Sequence, residues 1–326
     1  MIKLILLICL VVFFALNMGA SGIAPSFAAV YGGRLIRKKK IIILFGIFVI
    51  LGAIVSGRNV SLTLGENLLP QELLSFNTVL IIIFSASLSL FLANILKIPQ
   101  STSQVTVGAI TGAGLYFRHF YFKTLLFKII PTWVILPLLA YIFTFLLCRI
   151  IYPPKHANLY IYEKLFAHEK KLRITAILVS CYVAFAIGSN NVANAAGPLF
   201  GAGIIGIIPG LMIIAPIFGL GAGLMGKGTL DTAGKEIVPL GVFSSTIVSF
   251  VTATLLIFAS LLGIPQSLVQ LNMCSIFAVA SLKDGHRSTL DLHITKKTFI
   301  VWAITPLFSV AISYLSLLII NRILNS

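Results

Sequence analysis

Two stretches of this chain are diverged copies of each other, offset by 169 residues. Leu51, Gly52 and Ala53 recur as Leu220, Gly221 and Ala222, and Gly57 and Arg58 as Gly226 and Lys227. Thr63, Gly65 and Pro70 then match Thr232, Gly234 and Pro239. The register slips by three for Ile98-Pro99-Gln100-Ser101 against Ile264-Pro265-Gln266-Ser267. It returns for Trp133 and Pro137 against Trp302 and Pro306. A duplicated chain folds as two related halves, and such folds place their chemistry where the halves meet.

The solvent follows from composition. With 59% hydrophobic and 10% charged residues, 326 residues hold more apolar surface than a water-soluble fold can bury. Apolar runs at 2–33, 41–57, 76–96, 129–148, 174–208, 210–225, 240–262 and 298–320 are each long enough to cross a bilayer core of about 30 Å. Two weaker runs, 98–117 and 264–281, carry Ser, Thr and Gln. A spanning segment has to satisfy its own backbone hydrogen bonds, so all are expected to be helical. The first repeat is expected over 1–148 and the second over 174–326, joined by a cytoplasmic linker, 149–173.

The net charge of +16 does not point to nucleic acid, because its basic residues cluster beside spans, at 34–40, 164–173 and 283–297. By the positive-inside rule these clusters mark the cytoplasmic face. That placement gives an odd number of crossings per copy, copies of opposite orientation and an outside N-terminus. It also puts Arg118, Lys123 and Lys128 outside, unless segment 98–117 turns back within the membrane. A cleaved signal peptide is the rival reading of the N-terminus. The offset argues against it by pairing Gly19, Ala24 and Gly32 with Gly188, Ala193 and Gly201. Cys9, Cys148, Cys181 and Cys274 lie singly in apolar runs, without disulfide or metal spacing.

Runs 2–33 and 174–208 are too long for upright helices, and each carries glycine and proline at mid-span. A break is expected in both. A broken helix exposes backbone N–H groups carrying partial positive charge, which suits an anion. Small residues also serve close helix packing, so Ser21 and Gly22 have two readings. Asn190, Asn191 and Asn194 are harder to explain by packing, since lipid gives an amide no partner. In the weaker runs, Ser101, Thr102, Ser103 and Gln104 follow Pro99, while Ser267 and Gln270 follow Pro265. Capping a helix uses one or two such residues, and the Ser-Thr-Ser run exceeds that need.

With these residues in place, the chain resembles the inorganic phosphate transporter family. That family carries a duplicated Gly-Ala-Asn-Asp-Val-Ala-Asn signature and a duplicated Pro-Val-Ser-Thr-Thr-His signature. Gly188 to Asn194 matches the first closely, Pro99 to Gln104 matches the second in part, and Gly19 to Pro25 matches weakly. The resemblance implies an all-α polytopic membrane protein with ten to twelve membrane segments in two inverted repeats with broken helices. It also implies a homodimer in the cell membrane. Both signature aspartates are missing, replaced by Gly22 and Asn191, and the histidines are replaced by Gln104 and Gln270. All eight acidic residues fall in connections or at their edges.

Hydrogen phosphate owns a proton that a carboxylate accepts, whereas sulfate offers only acceptors and is repelled by one. A carboxylate-free site of amides, hydroxyls and backbone donors therefore favours sulfate. The Gly-Ala-Ser-Gly character of residues 19–22 is similar to the sulfate permeases of the family. Phosphate is the alternative, since Asn191 can receive its proton through the amide oxygen. Expected substrate ligands are Ser21, Gly22, Ser101, Thr102, Ser103, Asn190, Asn191, Asn194 and Ser267.

Importing a dianion against an inside-negative potential costs roughly 2.3 kcal/mol per charge per 100 mV, so coupling is expected. A proton, or alternatively Na⁺, is the expected partner, with Asn17, Gln104, Asp231 and Glu236 as candidate coupling residues. No cofactor or metal site is expected. An intramembrane enzyme is disfavoured because no His, Asp, Glu or Lys accompanies the serines at span depth. An anion channel is the remaining alternative to alternating access.

Overall fold

The computed structural model describes residues 1–95, 100–151, 159–160, 163, 167–226, 228, 230, 241–291 and 293–324. The first copy contributes α1 (Ile2–Gly32), α2 (Lys38–Ser56), the short α3 (Arg58–Gly65), α4 (Phe76–Ile95), α5 (Thr102–Phe117) and α6 (Phe122–Arg149). The second contributes α7 (Glu169–Asn191), α8 (Ala193–Gly201), α9 (Ile207–Leu224), α10 (Gly241–Leu261), α11 (Leu268–Asp284), α12 (His286–Asp291) and α13 (His293–Leu324). Among the described residues, eight helices, counting α7 and α8 as one, are long and apolar enough to cross a membrane, and each falls on one of the eight apolar runs. The shorter α5 and α11 complete the set of segments. Among the described residues there is no strand.

The duplication survives in detail at the helix ends. After α1 the N–H groups of Arg34 and Leu35 bond the carbonyls of Tyr31 and Val30; after α8 those of Gly203 and Ile204 bond Phe200 and Leu199, the same four positions 169 residues on. Arg34 (φ 53°) and Gly203 (φ 67°) both take the left-handed conformation that stops a helix.

The copies interlock. Helix α2 packs on α7 while its counterpart α9 packs on α1, and α5 packs on α13 while its counterpart α11 packs on α6. This exchange of partners is what a pseudo-two-fold between the copies produces. The first pair of crossings rests on matched glycines. A methyl on Gly52 would sit 1.9 Å from the Phe185 carbonyl oxygen, and one on Gly188 would sit 2.0 Å from that of Val49. In the mate crossing, Gly221 would meet Leu16 at 2.2 Å and Gly19 would meet Phe218 at 1.8 Å. Such backbone contact is how helices gain attraction where lipid is as apolar as the side chains.

The break expected in the first copy is absent. Helix α1 runs unbroken through Pro25, whose missing N–H costs it one backbone bond, while the Ser21 and Ser26 hydroxyls turn back to the Met18 and Gly22 carbonyls. In the second copy the interruption is one residue, Val192, between α7 and α8. Gly19 and Gly188 are therefore packing residues rather than helix breakers.

Arg173 donates to the Leu35 carbonyl, and Gly33 lies against Val242, which puts the basic end of α1 beside the starts of α7 and α10. Helix α11 runs antiparallel to α10 and ends at Lys283 and Asp284, so these basic clusters share one face. Arg118, Lys123 and Lys128 lie with Lys3 on the opposite face. Helix α5 returns there after α4, and Lys3 donates to Asn77 at the α4 start.

Candidate functional site

The two Ser/Gln segments fold as matched helix caps. Ser101 accepts from the Gln104 N–H at 3.2 Å to open α5, and Ser267 accepts from the Gln270 N–H at 3.2 Å to open α11. Proline falls ahead of the cap at Pro265, not inside the first turn, so it shapes the approach rather than the helix. Its carbonyl receives the Trp133 indole N–H at 2.8 Å, tying the second cap to α6 of the first copy. Pro99, the corresponding residue, lies outside the described residues.

The last turn of α7 joins the two caps. The Asn190 amide donates to Ser260 Oγ and the Ile264 carbonyl, both at 3.0 Å. Its oxygen accepts from the Gln266 N–H at 3.0 Å and from Ser103 Oγ at 3.4 Å. Asn194 donates to Thr102 Oγ1 and Ser103 Oγ at 3.2 and 3.3 Å. The structure thus brings together Ser101, Thr102, Ser103, Gln104, Asn190, Asn191, Asn194 and Ser267 from three places in the sequence.

Their roles differ. Asn190 is fully enclosed and its hydrogen-bonding capacity is used by protein, so it fastens the two caps to α7. Asn191 is the least enclosed of the three asparagines, and its Oδ1 has no protein partner. Asn194 Oδ1, Gln104 Oε1, Gln270 Oε1, Gln100 Oε1 and both ends of the Gln266 amide are likewise buried without one. Each such atom costs about 1–3 kcal/mol if left unpaired. The cluster is chemically incomplete without a polar occupant.

The first-copy motif joins none of these hydrogen bonds. Ser21 is half-buried and bonded within its own helix, and Gly22 is enclosed by apolar groups. A Cβ on Gly22 would meet Phe45 at 3.3 Å, Phe218 at 3.4 Å and Ile187 at 3.5 Å. The aspartate of the family signature would point into this apolar wall. Asn17 donates to the Phe13 carbonyl and accepts from Asn94, an internal tie that occupies it. Asp231 and Glu236 lie outside the described residues. Glu66, Glu72, Glu163, Glu169 and Asp284 are exposed or half-buried in connections or at helix ends, so no described carboxylate is buried at the caps. No cluster able to hold a metal occurs among the described residues.

Sequence reasoning did not single out Ser260, Ile264 or Gln266 as partners of Asn190. The signal for Gln266 was its pairing with Gln100 through the repeat. None existed for Ser260, which lies 70 residues from Asn190 in an ordinary apolar helix.

The paired caps and the asparagine-bearing helix find a match among known proteins. Residues 18–313 match the model described as "Phosphate transporter family". The chain is 36% identical over 304 residues to the sulfate permease CysP of Bacillus subtilis, covering 93% of this chain and 84% of the relative. It is 32% identical over 311 residues to a provisionally named phosphate permease of Methanocaldococcus jannaschii, covering 94% and 93%. The solved structure titled "The sodium-dependent phosphate transporter" shares the fold, with a TM-score of 0.82 over 98% of this chain and all of that one, at 22% identity. Eight helices able to cross a membrane among the described residues, a two-copy architecture and a family match across nearly its whole length lead to one conclusion: this multi-pass membrane protein belongs to the phosphate transporter family.

Proposed function

We propose that the protein is a secondary transporter that imports a tetrahedral oxyanion, sulfate before phosphate, by ion-coupled alternating access in the cell membrane. One observation carries this reading: buried amides with at least one end unpartnered gather at the meeting of the two caps without a carboxylate among the described residues. A carboxamide offers N–H at one end and C=O at the other, so Asn191, Gln104 and Gln270 can turn donors toward an oxyanion, while the Asn194 N–H groups are held by Thr102 and Ser103. Thr102 and Ser103 add hydroxyls. Sulfate needs donors alone, which this set supplies, and the likeness to a sulfate permease over most of the chain supports the same choice. Ser21 and Ser267 complete the proposed ligand set, and Gly22 stays in it only as backbone. The homodimer implied by the family belongs to the same reading.

Proton coupling is the expectation from sequence, and Asp231 or Glu236 would carry it. A second reading is favoured by the orphaned amide oxygens, which are hard ligands suited to Na⁺. The test is uptake of labelled sulfate into proteoliposomes with imposed pH or Na⁺ gradients, and with phosphate as competitor. Saturable sulfate uptake driven by either gradient is the expected result. Effective competition by phosphate would reverse the substrate order, and voltage-tracking conductance without coupling would make the protein a channel.

A further inference from the structure

The turn that leads into the second cap has one polar group left over. The Ile264 N–H bonds the Ala259 carbonyl at 2.8 Å, and the Ile264 carbonyl takes the Asn190 amide at 3.0 Å. The Pro265 carbonyl takes the Trp133 indole at 2.8 Å, the Gln266 N–H goes to Asn190 Oδ1 at 3.0 Å, and Ser267 Oγ caps α11. What remains is the Gln266 side chain, 0% exposed, with Oε1 and Nε2 both enclosed and unpaired. Among the described residues it is the one carboxamide with both ends in that condition. Its mate through the repeat, Gln100, precedes the other cap, is 5% exposed, and has Oε1 enclosed without a partner.

Packing does not account for this pair. A buried amide left unpaired is worse for a fold than an apolar side chain of the same shape. Capping does not account for it either, because Ser101 and Ser267 already fill that role. Both glutamines also stand where the Pro-Val-Ser-Thr-Thr-His signature has valine, so the same departure is made in each copy. The hydrogen bonds of the site set Gln266 among the proposed ligands: Asn190 Oδ1, which holds its N–H, is also reached by Ser103 Oγ at 3.4 Å, and Ser267 follows it in the chain. Gln100 adjoins Ser101 in the same way, one residue ahead of Thr102 and Ser103 in the opening of α5.

We infer that Gln100 and Gln266 are specificity-determining residues, which present amide N–H donors to the oxyanion from the turns ahead of the two caps. The inference rests on the proposed oxyanion site and adds two donors to it. Sulfate offers acceptors alone, so each N–H turned to it is used, whereas a carboxylate in the same place repels it. No acidic, basic or histidine side chain is buried among the described residues, so the donors act without a neighbouring charge.

The test replaces each glutamine in the purified full-length protein, by Met to remove the amide and keep the reach of the side chain, and by Glu to keep the shape and reverse the role. Equilibrium binding of labelled sulfate and the thermal midpoint in detergent are read together. Gln266→Met and Gln100→Met are each expected to weaken sulfate binding at least tenfold, while the midpoint without sulfate stays or rises because an unpaired amide has left the core. Gln266→Val and Gln100→Val serve should a Met variant not assemble. Sulfate binding within threefold of wild type overturns the inference. A loss of binding matched by a fall in the midpoint overturns it too, since that marks a structural role. In Gln266→Glu, sulfate binding is expected to fall at least tenfold from about pH 5 to about pH 8 relative to wild type over the same range, because the carboxylate accepts the dianion beside it only while protonated. Phosphate, which brings its own proton, is expected to displace sulfate better from this variant than from wild type. A pH profile that matches wild type overturns the contact. Failure of the oxyanion site itself looks different, since the wild type would then bind no sulfate and both readings would fall together.

Discussion

At the scale of single residues, the asparagines of α7 divide the work of holding the structure from that of meeting a solute. Asn190 spends both ends of its amide on protein, so Asn190→Ala strands the Gln266 N–H and the Ile264 carbonyl in the membrane core. That loss is expected to cost about 2–3 kcal/mol and to lower the thermal midpoint in detergent. Asn191 has an unpartnered oxygen and little to lose structurally, so Asn191→Ala is expected to keep the thermal midpoint and abolish saturable uptake. Thermal melts and uptake on both variants check the contrast, and equal effects on stability would remove it. Restoring the family aspartate by Gly22→Asp is expected to impair assembly, because the carboxylate would be buried unpaired against Phe45, Phe218 and Ile187. Yield of folded protein by size-exclusion chromatography reads that outcome. Sequence made the importance of the three asparagines legible, since lipid gives amides no partners. Their separate tasks were not legible, because they depend on Ser260 and Ile264 far along the chain.

At the scale of helices, the crossings are held by glycine rather than by side-chain interdigitation. The Gly52–Phe185 and Gly221–Leu16 contacts are the same contact in two copies, each too close for a methyl group. Gly52→Ala and Gly221→Ala are therefore expected to destabilise by similar amounts, about 1–3 kcal/mol each, read as matching drops in thermal midpoint. A large effect at one and none at the other would mean that the crossings are not equivalent. These glycines were visible in the sequence as the repeat register. Gly19 and Gly188 were visible too but suggested a broken helix, since composition cannot distinguish a glycine that lets a helix bend from one that lets a neighbour approach. Backbone contact across 133 residues, as between Gly52 and Phe185, is decided by packing alone.

At the scale of the molecule, the copies are expected to be dependent on each other even though each carries a full set of helices. Two counterpart pairs exchange partners: α2 lies on α7 and α9 on α1, α5 on α13 and α11 on α6. The caps repeat the pattern, with Ser103 of the first copy on Asn190 of the second and Trp133 of the first on Pro265 of the second. A half on its own would leave the glycine faces of α1 and α2 to lipid, and the polar groups of its cap with no partners at membrane depth. Cutting the chain between 149 and 173 separates the copies without severing any of these contacts. The two fragments, co-expressed, are expected to co-purify and to regain sulfate uptake, while each expressed alone is expected to be lost to aggregation or proteolysis. Affinity purification through a tag on one fragment, followed by uptake in proteoliposomes, measures both. A first fragment that is stable and monodisperse alone would show that the crossings are dispensable, and that the repeats associate as domains rather than as one interlocked fold.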